Sequence, residues 1–180
     1  MANFNLDVNI TPDRGLKSTK KPNVLVATYG DGYEQRAAAG INNLGESWDL
    51  TWSNRSAAEA NKLIKFFEDH GAVTVFDWYP PGYEVVSTTT NVATSKLIDT
   101  DQYFTKLYLN ATVTDSATNT AVITAIDSAT QLSLSANILA SGEAYTIYPY
   151  KKYKCDTWAV QEIVGGIRTI TATFTKVFEP

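Results

Sequence analysis

Asp31 and Glu34 lie three residues apart and could act as a paired general acid and base; His70, next to Asp69, could act as a proton acceptor. Gly30 and Gly32 flank Asp31 in the manner of a phosphate-cradling loop, and Cys155 could serve as a nucleophile. Each has a stronger structural reading. Carboxylates this close in sequence are common on any solvated surface. His70 falls at the end of an amphipathic pattern, where a cation complements a helix dipole. The glycines lead into no helix and no Lys-Ser/Thr follows them, which phosphate binding requires. Cys155 sits in a strand-like run without a nearby histidine, as a buried structural thiol does. With one Cys and one His in the chain, neither a disulfide nor a clustered soft-ligand metal site can form within it. The expectation is a non-enzymatic chain with no catalytic residues, no metal ligands and no cofactor.

At 180 residues the chain fits one ordinary domain, or one with a smaller insertion, and can bury roughly 70% of its extended surface. Four Trp, ten Tyr and seven Phe against only 19% charged residues favour a large core, extensive interfaces, or both. The N-terminal residues lack a basic, apolar leader pattern and no run approaches a membrane span, so a soluble, non-exported chain with no membrane partner is expected. A net charge of −4, with no basic helix or stripe, argues against sequence-specific nucleic-acid binding.

Phe4, Leu6, Val8 and Ile10 alternate with polar residues and predict a first strand. Residues 23–28 predict a second, and Trp48-Asp49-Leu50-Thr51-Trp52 a third with one apolar face. Ser56-Ala57-Ala58-Glu59 is a capping box opening a helix whose stripe is Ala60, Leu63, Ile64 and Phe67, with Gly71 as its stop. Residues 73–78 return to strand and are halted by Pro80-Pro81-Gly82.

From Glu84 to Tyr150 the composition turns Ser/Thr-rich, and two lysines face six acids, so the whole formal net charge falls there. Short strands are predicted at 121–126 and 132–134. Asp115-Ser116-Ala117-Thr118 returns as Asp127-Ser128-Ala129-Thr130, either two similar turns or coincidence in a biased segment. Residues 153–158 and 167–174 read as strands turning at Val164-Gly165-Gly166, with Thr169, Thr171, Thr173 and Thr175 on one polar face. The predicted fold is mostly β, a β-sandwich with one flanking helix: a body of 1–83 plus 151–180 and an inserted small all-β domain at 84–150.

Tyr29-Gly30-Asp31-Gly32-Tyr33-Glu34-Gln35-Arg36, followed by Ala39-Gly40-Ile41-Asn42, resembles the aromatic-GDGY-x-QR signature of the minor tail protein M family of lambda-like phages. The order continues with a Trp-bearing strand, a helix ending Phe66-Phe67-Glu68-Asp69-His70-Gly71, then Phe76-Asp77-Trp78-Tyr79-Pro80-Pro81, then Tyr153-Lys154-Cys155 with Trp158. The resemblance covers roughly 3–83 and 151–179. It implies the phage tail-tube fold and a structural role in a siphophage tail tip or baseplate: a homo-hexameric ring adaptor joining the tail tube protein to the baseplate hub proteins. DNA would pass through its channel without specific binding, and the tape-measure protein is a further candidate neighbour. It also implies a virion location at the distal end of the tail, after assembly in the bacterial cytoplasm.

The glycines allow a tight turn presenting Tyr29, Tyr33 and Arg36, with Arg36 a candidate ion-pair partner of Asp31. Tyr29, Gly30, Asp31, Gly32, Tyr33, Gln35, Arg36, Trp78, Pro80, Pro81 and Trp158 are the candidate interface or structural motif, serving either a subunit junction or internal turns and packing. The alternative function is carbohydrate or host-surface binding through Tyr103, Phe104, Tyr108, Tyr145, Tyr148 and Tyr150 of the insertion.

Overall fold

The computed structural model describes residues 2–163 and 165–178. In chain order it forms helix α1 (Phe4–Asp7), strands β1 (Lys17–Pro22), β2 (Val24–Thr28), β3 (Glu34–Ala38) and β4 (Leu44–Arg55), helix α2 (Ala57–His70) and β5 (Phe76–Trp78). There follow β6 (Val85–Thr88), β7 (Asn91–Ala93), β8 (Lys96–Ile98), β9 (Thr112–Asp115), β10 (Thr120–Ser128), β11 (Gln131–Leu134) and β12 (Ala144–Tyr148). The chain closes with β13 (Lys151–Ile163) and β14 (Ile167–Lys176). This is the expected mostly-β class. The chain divides into two compact units, Met1–Trp78 with Lys151–Pro180, and Tyr79–Tyr150.

The first unit is built on a five-stranded antiparallel sheet, β1-β4-β14-β13-β5. Alternation along β4 buries Trp48, Leu50 and Trp52, and along β14 it buries Ile170, Ala172 and Phe174, so both strands give one apolar face. Helix α2 covers that face with Ala60, Leu63, Phe66 and Phe67, and Ile64 packs at the margin. Its start is the capping box: the Glu59 amide donates to Ser56 Oγ at 3.4 Å and the Ser56 amide donates to Glu59 Oε2 at 3.1 Å. Its end is Gly71, left-handed at φ 51°, with an amide bonding the Phe67 carbonyl. Phe174 is the hub. Its ring lies 5.0 Å from Phe76, 5.2 Å from Phe4 and Trp78, and 6.0 Å from Phe67, all edge-on.

Three sequence expectations change here. Residues 4–10 do not form a strand: Phe4 and Val8 are buried while Leu6 is 71% exposed, the i, i+4 spacing of one helical turn. Asn3 and Asp7 cap that turn reciprocally, with the Leu6 amide donating to Asn3 Oδ1 at 3.2 Å and the Asn3 amide to Asp7 Oδ2 at 2.7 Å. The strand expected at 73–78 is only Phe76–Trp78. Positive φ at Gly71 and Ala72 turns the chain immediately before it, and Val73 is exposed. The last strand, expected at 167–174, runs on to Lys176. Val164, placed at the β13–β14 turn, lies outside the described residues; Gly165 and Gly166 beside it both have positive φ.

The second unit is one antiparallel sheet, β6-β12-β9-β10-β11-β8-β7. Its two edge strands, β6 and β7, are joined by Thr89 and Thr90 alone, so the sheet must curl until its edges meet. Register shifts in β10 at Ile123/Ala125 and Ile126/Ser128 supply the bending. Inside lie Leu97, Val113, Ile123, Leu132, Tyr145 and Ile147. Asp99, fully buried, fastens the curl: Ser87 Oγ donates to it at 2.7 Å, the Tyr145 hydroxyl at 2.6 Å and the Asp101 amide at 3.0 Å. Burial and the Asp99 carboxylate push the Tyr145 hydroxyl far above its ordinary range, so it stays a donor. The two Asp-Ser-Ala-Thr segments fall at the β9–β10 and β10–β11 turns. Their chemistry differs. Asp115 accepts from Asn119, whereas Asp127 accepts from Lys96 at 2.7 Å and from Ser133.

All four tryptophans lie outside residues 79–150, which separates two observables. Asp99→Ala leaves the buried Tyr145 hydroxyl and the half-buried Ser87 hydroxyl without their acceptor and is expected to destabilise the second unit by about 3 kcal/mol. Urea unfolding followed by far-UV circular dichroism would show the shifted transition, while tryptophan fluorescence keeps the original one. Acid acts on both units. Burial opposes ionisation of Asp13, but hydrogen bonds from Ser53 and Arg55 outweigh it; Lys96 and Ser133 likewise hold Asp127 below the usual range despite burial. Since these carboxyls titrate lower when folded than the unfolded value of about 3.9, their stabilisation is complete above about pH 5 and is lost as pH falls through 4 and below. Stability measured from pH 7 to pH 3 should decline only in the acid half.

Candidate interaction surface

Strands β2 and β3 pair only with each other, from Val24↔Ala38 to Thr28↔Glu34. Every one of their ten residues is exposed. The turn joining them is the sequence motif. The Tyr29 amide donates to the Tyr33 carbonyl at 2.8 Å and the Gly32 amide to the Tyr29 carbonyl at 3.1 Å. Gly32 takes φ +79°, which a side chain would resist; Gly30 has no positive φ. The Tyr29 hydroxyl donates to Gln35 Oε1 at 3.1 Å, bracing the turn against β3.

Arg36 does pair with a carboxylate, but with Glu34 and not Asp31: Nη2 and Nε donate to Glu34 Oε2 at 2.7 and 3.1 Å. Residues two apart on a strand share a face, whereas Asp31 is in the turn. The pair is well exposed and stabilises by only about 0–1 kcal/mol. The Asp31–Glu34 pairing considered for acid/base chemistry is thus divided, with Glu34 beside Arg36 on the strand and Asp31 in the turn.

The ribbon continues the main sheet. β1 pairs with β4 up to Pro22↔Leu44; the Asn23 amide then donates to the Asn43 carbonyl at 2.6 Å and the Ala39 amide to the Asn23 carbonyl at 3.0 Å. Across Asn23 the β1–β4 ladder thus runs on into β2–β3, with residues 40–42 looped out and Ile41 wholly exposed. The outer line from Lys17 to Thr28 is an unpaired edge about 40 Å long at roughly 3.3 Å per residue. At the sheet's other edge, β5 is covered by an Asn3–Asp77 bridge and an Asp77-to-Ala2 hydrogen bond.

Leu25 is 63% exposed and Tyr33 74%, with Val24, Val26 and Tyr29 also open. An isolated two-stranded ribbon is marginal in water, and apolar side chains in this density mark a contact surface. The polar face of the five-stranded sheet is also open, with Asp49, Thr171 and Thr157 exposed and Thr173 donating to Asp49 at 3.1 Å.

The other proposed motif residues are placed elsewhere. Trp78 is wholly buried in the first core, Trp158 is half-buried against Phe67 at 5.9 Å, Pro80 is buried and Pro81 half-buried. His70 Nδ1 donates to the Phe66 carbonyl at 2.7 Å and its ring stacks on Phe66 at 4.1 Å, a helix-end role. Cys155 is buried on β13, where burial and neighbouring Asp156 push its thiol up to about 12, an unreactive state. Of the six aromatics considered for glycan binding, Phe104 and Tyr145 are core and Tyr108 packs on Phe104. Tyr148 packs tilted and Tyr150 edge-on against Tyr79 at 5.8 and 5.0 Å, leaving Tyr103 as the open ring. Among the described residues there is no group of three or more His, Cys, Asp or Glu able to hold a metal, and no helix long and apolar enough to cross a membrane.

Because Leu25 and Tyr33 lie mostly in solvent, Leu25→Ser and Tyr33→Ser are expected to change the stability of the free protein by less than about 0.5 kcal/mol. Phe174→Ala should cost about 3–5 kcal/mol. Denaturant melts of the three variants check the contrast.

Residues 4–115 match the phage minor tail protein family, a span running from α1 through the ribbon and α2 into β9. Over 67 residues the chain is 39% identical to tail tip protein M of Escherichia phage lambda, covering 37% of this chain and 61% of that protein. The chain therefore spans less than two thirds of that relative.

Proposed function

This chain belongs to the phage minor tail protein family, and from that premise we propose that it is a ring-forming adaptor at the distal tip of the tail. Its coarser role, a structural component of a phage tail, follows from family membership. The finer reading places a homo-hexamer between the tail tube protein and the hub of a siphophage baseplate, built on a tail-tube-like body of 1–83 and 151–180, with 84–150 as an insertion on it. The tape-measure protein is a further neighbour. Assembly takes place in the host cytoplasm.

The observation that carries this reading is the free ribbon. It holds the family-like motif at its tip, exposes all ten strand residues, and leaves ladder edges and apolar side chains that no described element of its own unit covers. A channel lined by the open Thr-rich sheet face would suit passage of DNA, since neutral hydroxyls offer phosphates little to hold. A structural role also accords with the places of the residues first considered for catalysis: Glu34 pairs with Arg36, His70 bonds a backbone carbonyl and Cys155 is buried.

Phage in which this gene is silenced are expected to fill heads normally but to produce no tails with a completed tip, with infectivity restored by the chain supplied in trans. Normal infectious tails without it would overturn the reading.

A further inference from the structure

The ribbon presents two open ladder edges of equal length. β2 runs Val24–Thr28 and β3 runs Glu34–Ala38, each with one hydrogen-bonding side committed to the other and one side unpaired. The two unpaired sides cannot satisfy each other within one chain, because they face opposite ways. Nor can β2 fold back onto the open edge of β1. Only Asn23 separates Pro22 from Val24, and a hairpin needs at least two linking residues. Asn23 is moreover held in line by its bonds to Asn43 and Ala39.

We infer that ribbons from neighbouring copies of this chain pair side by side, the outer edge of β2 in one copy against the outer edge of β3 in the next. This inference rests on the ring-forming reading above and names the surface that would close the ring. The pairing is antiparallel, since β2 and β3 already run in opposite directions. It is head-to-tail, so it can close into a ring instead of stopping at a dimer. Charge permits it: β2 carries no charged residue, and the two charges on β3, Glu34 and Arg36, neutralise one another. No like charges are brought together, whereas the lysines at 17, 20 and 21 disfavour continuing the same pairing along β1. Pairing also brings Leu25 and Val26 beside a neighbouring strand, shielding apolar surface that the lone chain leaves in water.

The test uses full-length chains with one new cysteine each, Ala27→Cys or Gln35→Cys, positions that stand level across the ribbon, supplied in trans to phage lacking the native gene. Tails are then mildly oxidised and separated on a denaturing gel. Both sites are exposed, so folding should be retained, and the buried Cys155 is a poor competitor. A covalent dimer is expected when the two variants are co-expressed and incorporated together, and none when either is present alone. The pairs Ala27→Cys with Ala37→Cys and Leu25→Cys with Gln35→Cys repeat the trial at a two-residue offset in either direction, so that a stagger between copies does not hide the contact. The inference is overturned if tails contain the chain but no co-expressed pair cross-links. Dimers from Ala27→Cys alone overturn it as well, since they mean β2 meeting β2. Tails lacking the chain altogether would overturn the tail-tip reading, and failure of the concentrated free proteins to cross-link would then remove the strand pairing with it.

Discussion

A single residue, Asn23, sets the character of this protein. Because one residue is too few to reverse a strand, the chain leaving β1 must continue straight, and its bonds to Asn43 and Ala39 make the returning strand follow it. The ladder is thereby carried past the last element that could shield it. The five-stranded sheet behind it can bear this extension because its other face is anchored by rings converging on Phe174 and by a helix fixed at both ends. A packed body and an uncovered ribbon are thus distinct parts: the first buries its apolar face within the chain, and the second leaves its own side chains exposed.

Much of the body is legible in the sequence because its signals are local. The capping box at Ser56 and Glu59, the alternation of Trp48, Leu50 and Trp52, and the glycine stop at 71 each act within a few residues of where they are written. The first segment misleads for a physical reason: Phe4 and Val8 fit a strand of period two and a helical turn of period four equally well, and the caps at Asn3 and Asp7 decide between them. The partner of Arg36 was open to a stricter reading, since only Glu34 shares its strand face.

Two features were not legible. Val-Leu-Val-Ala-Thr at 24–28 has the composition of a buried strand, and no local pattern reveals that nothing in the chain covers it. Exposure depends on how the described elements of the unit pack, not on the segment itself. Asp99 is the opposite case: one acid among many in a Ser/Thr-rich stretch, made central only because the curl of the second sheet brings Ser87 and Tyr145 to it from distant strands. The same curl explains why most of the tyrosines there serve packing instead of presenting a binding platform.

Assembly of the proposed kind leaves the ribbon unpaired in the free chain and covers it in the tail, and hydrogen–deuterium exchange on the free protein and on intact tails distinguishes the two states. The outward-facing amides of 24–28 and 34–38 should exchange quickly in the free chain, far faster than those of β4 and β14, and become protected in the tail. Ribbon amides already protected in the free chain, or still unprotected in tails that contain it, would contradict the account.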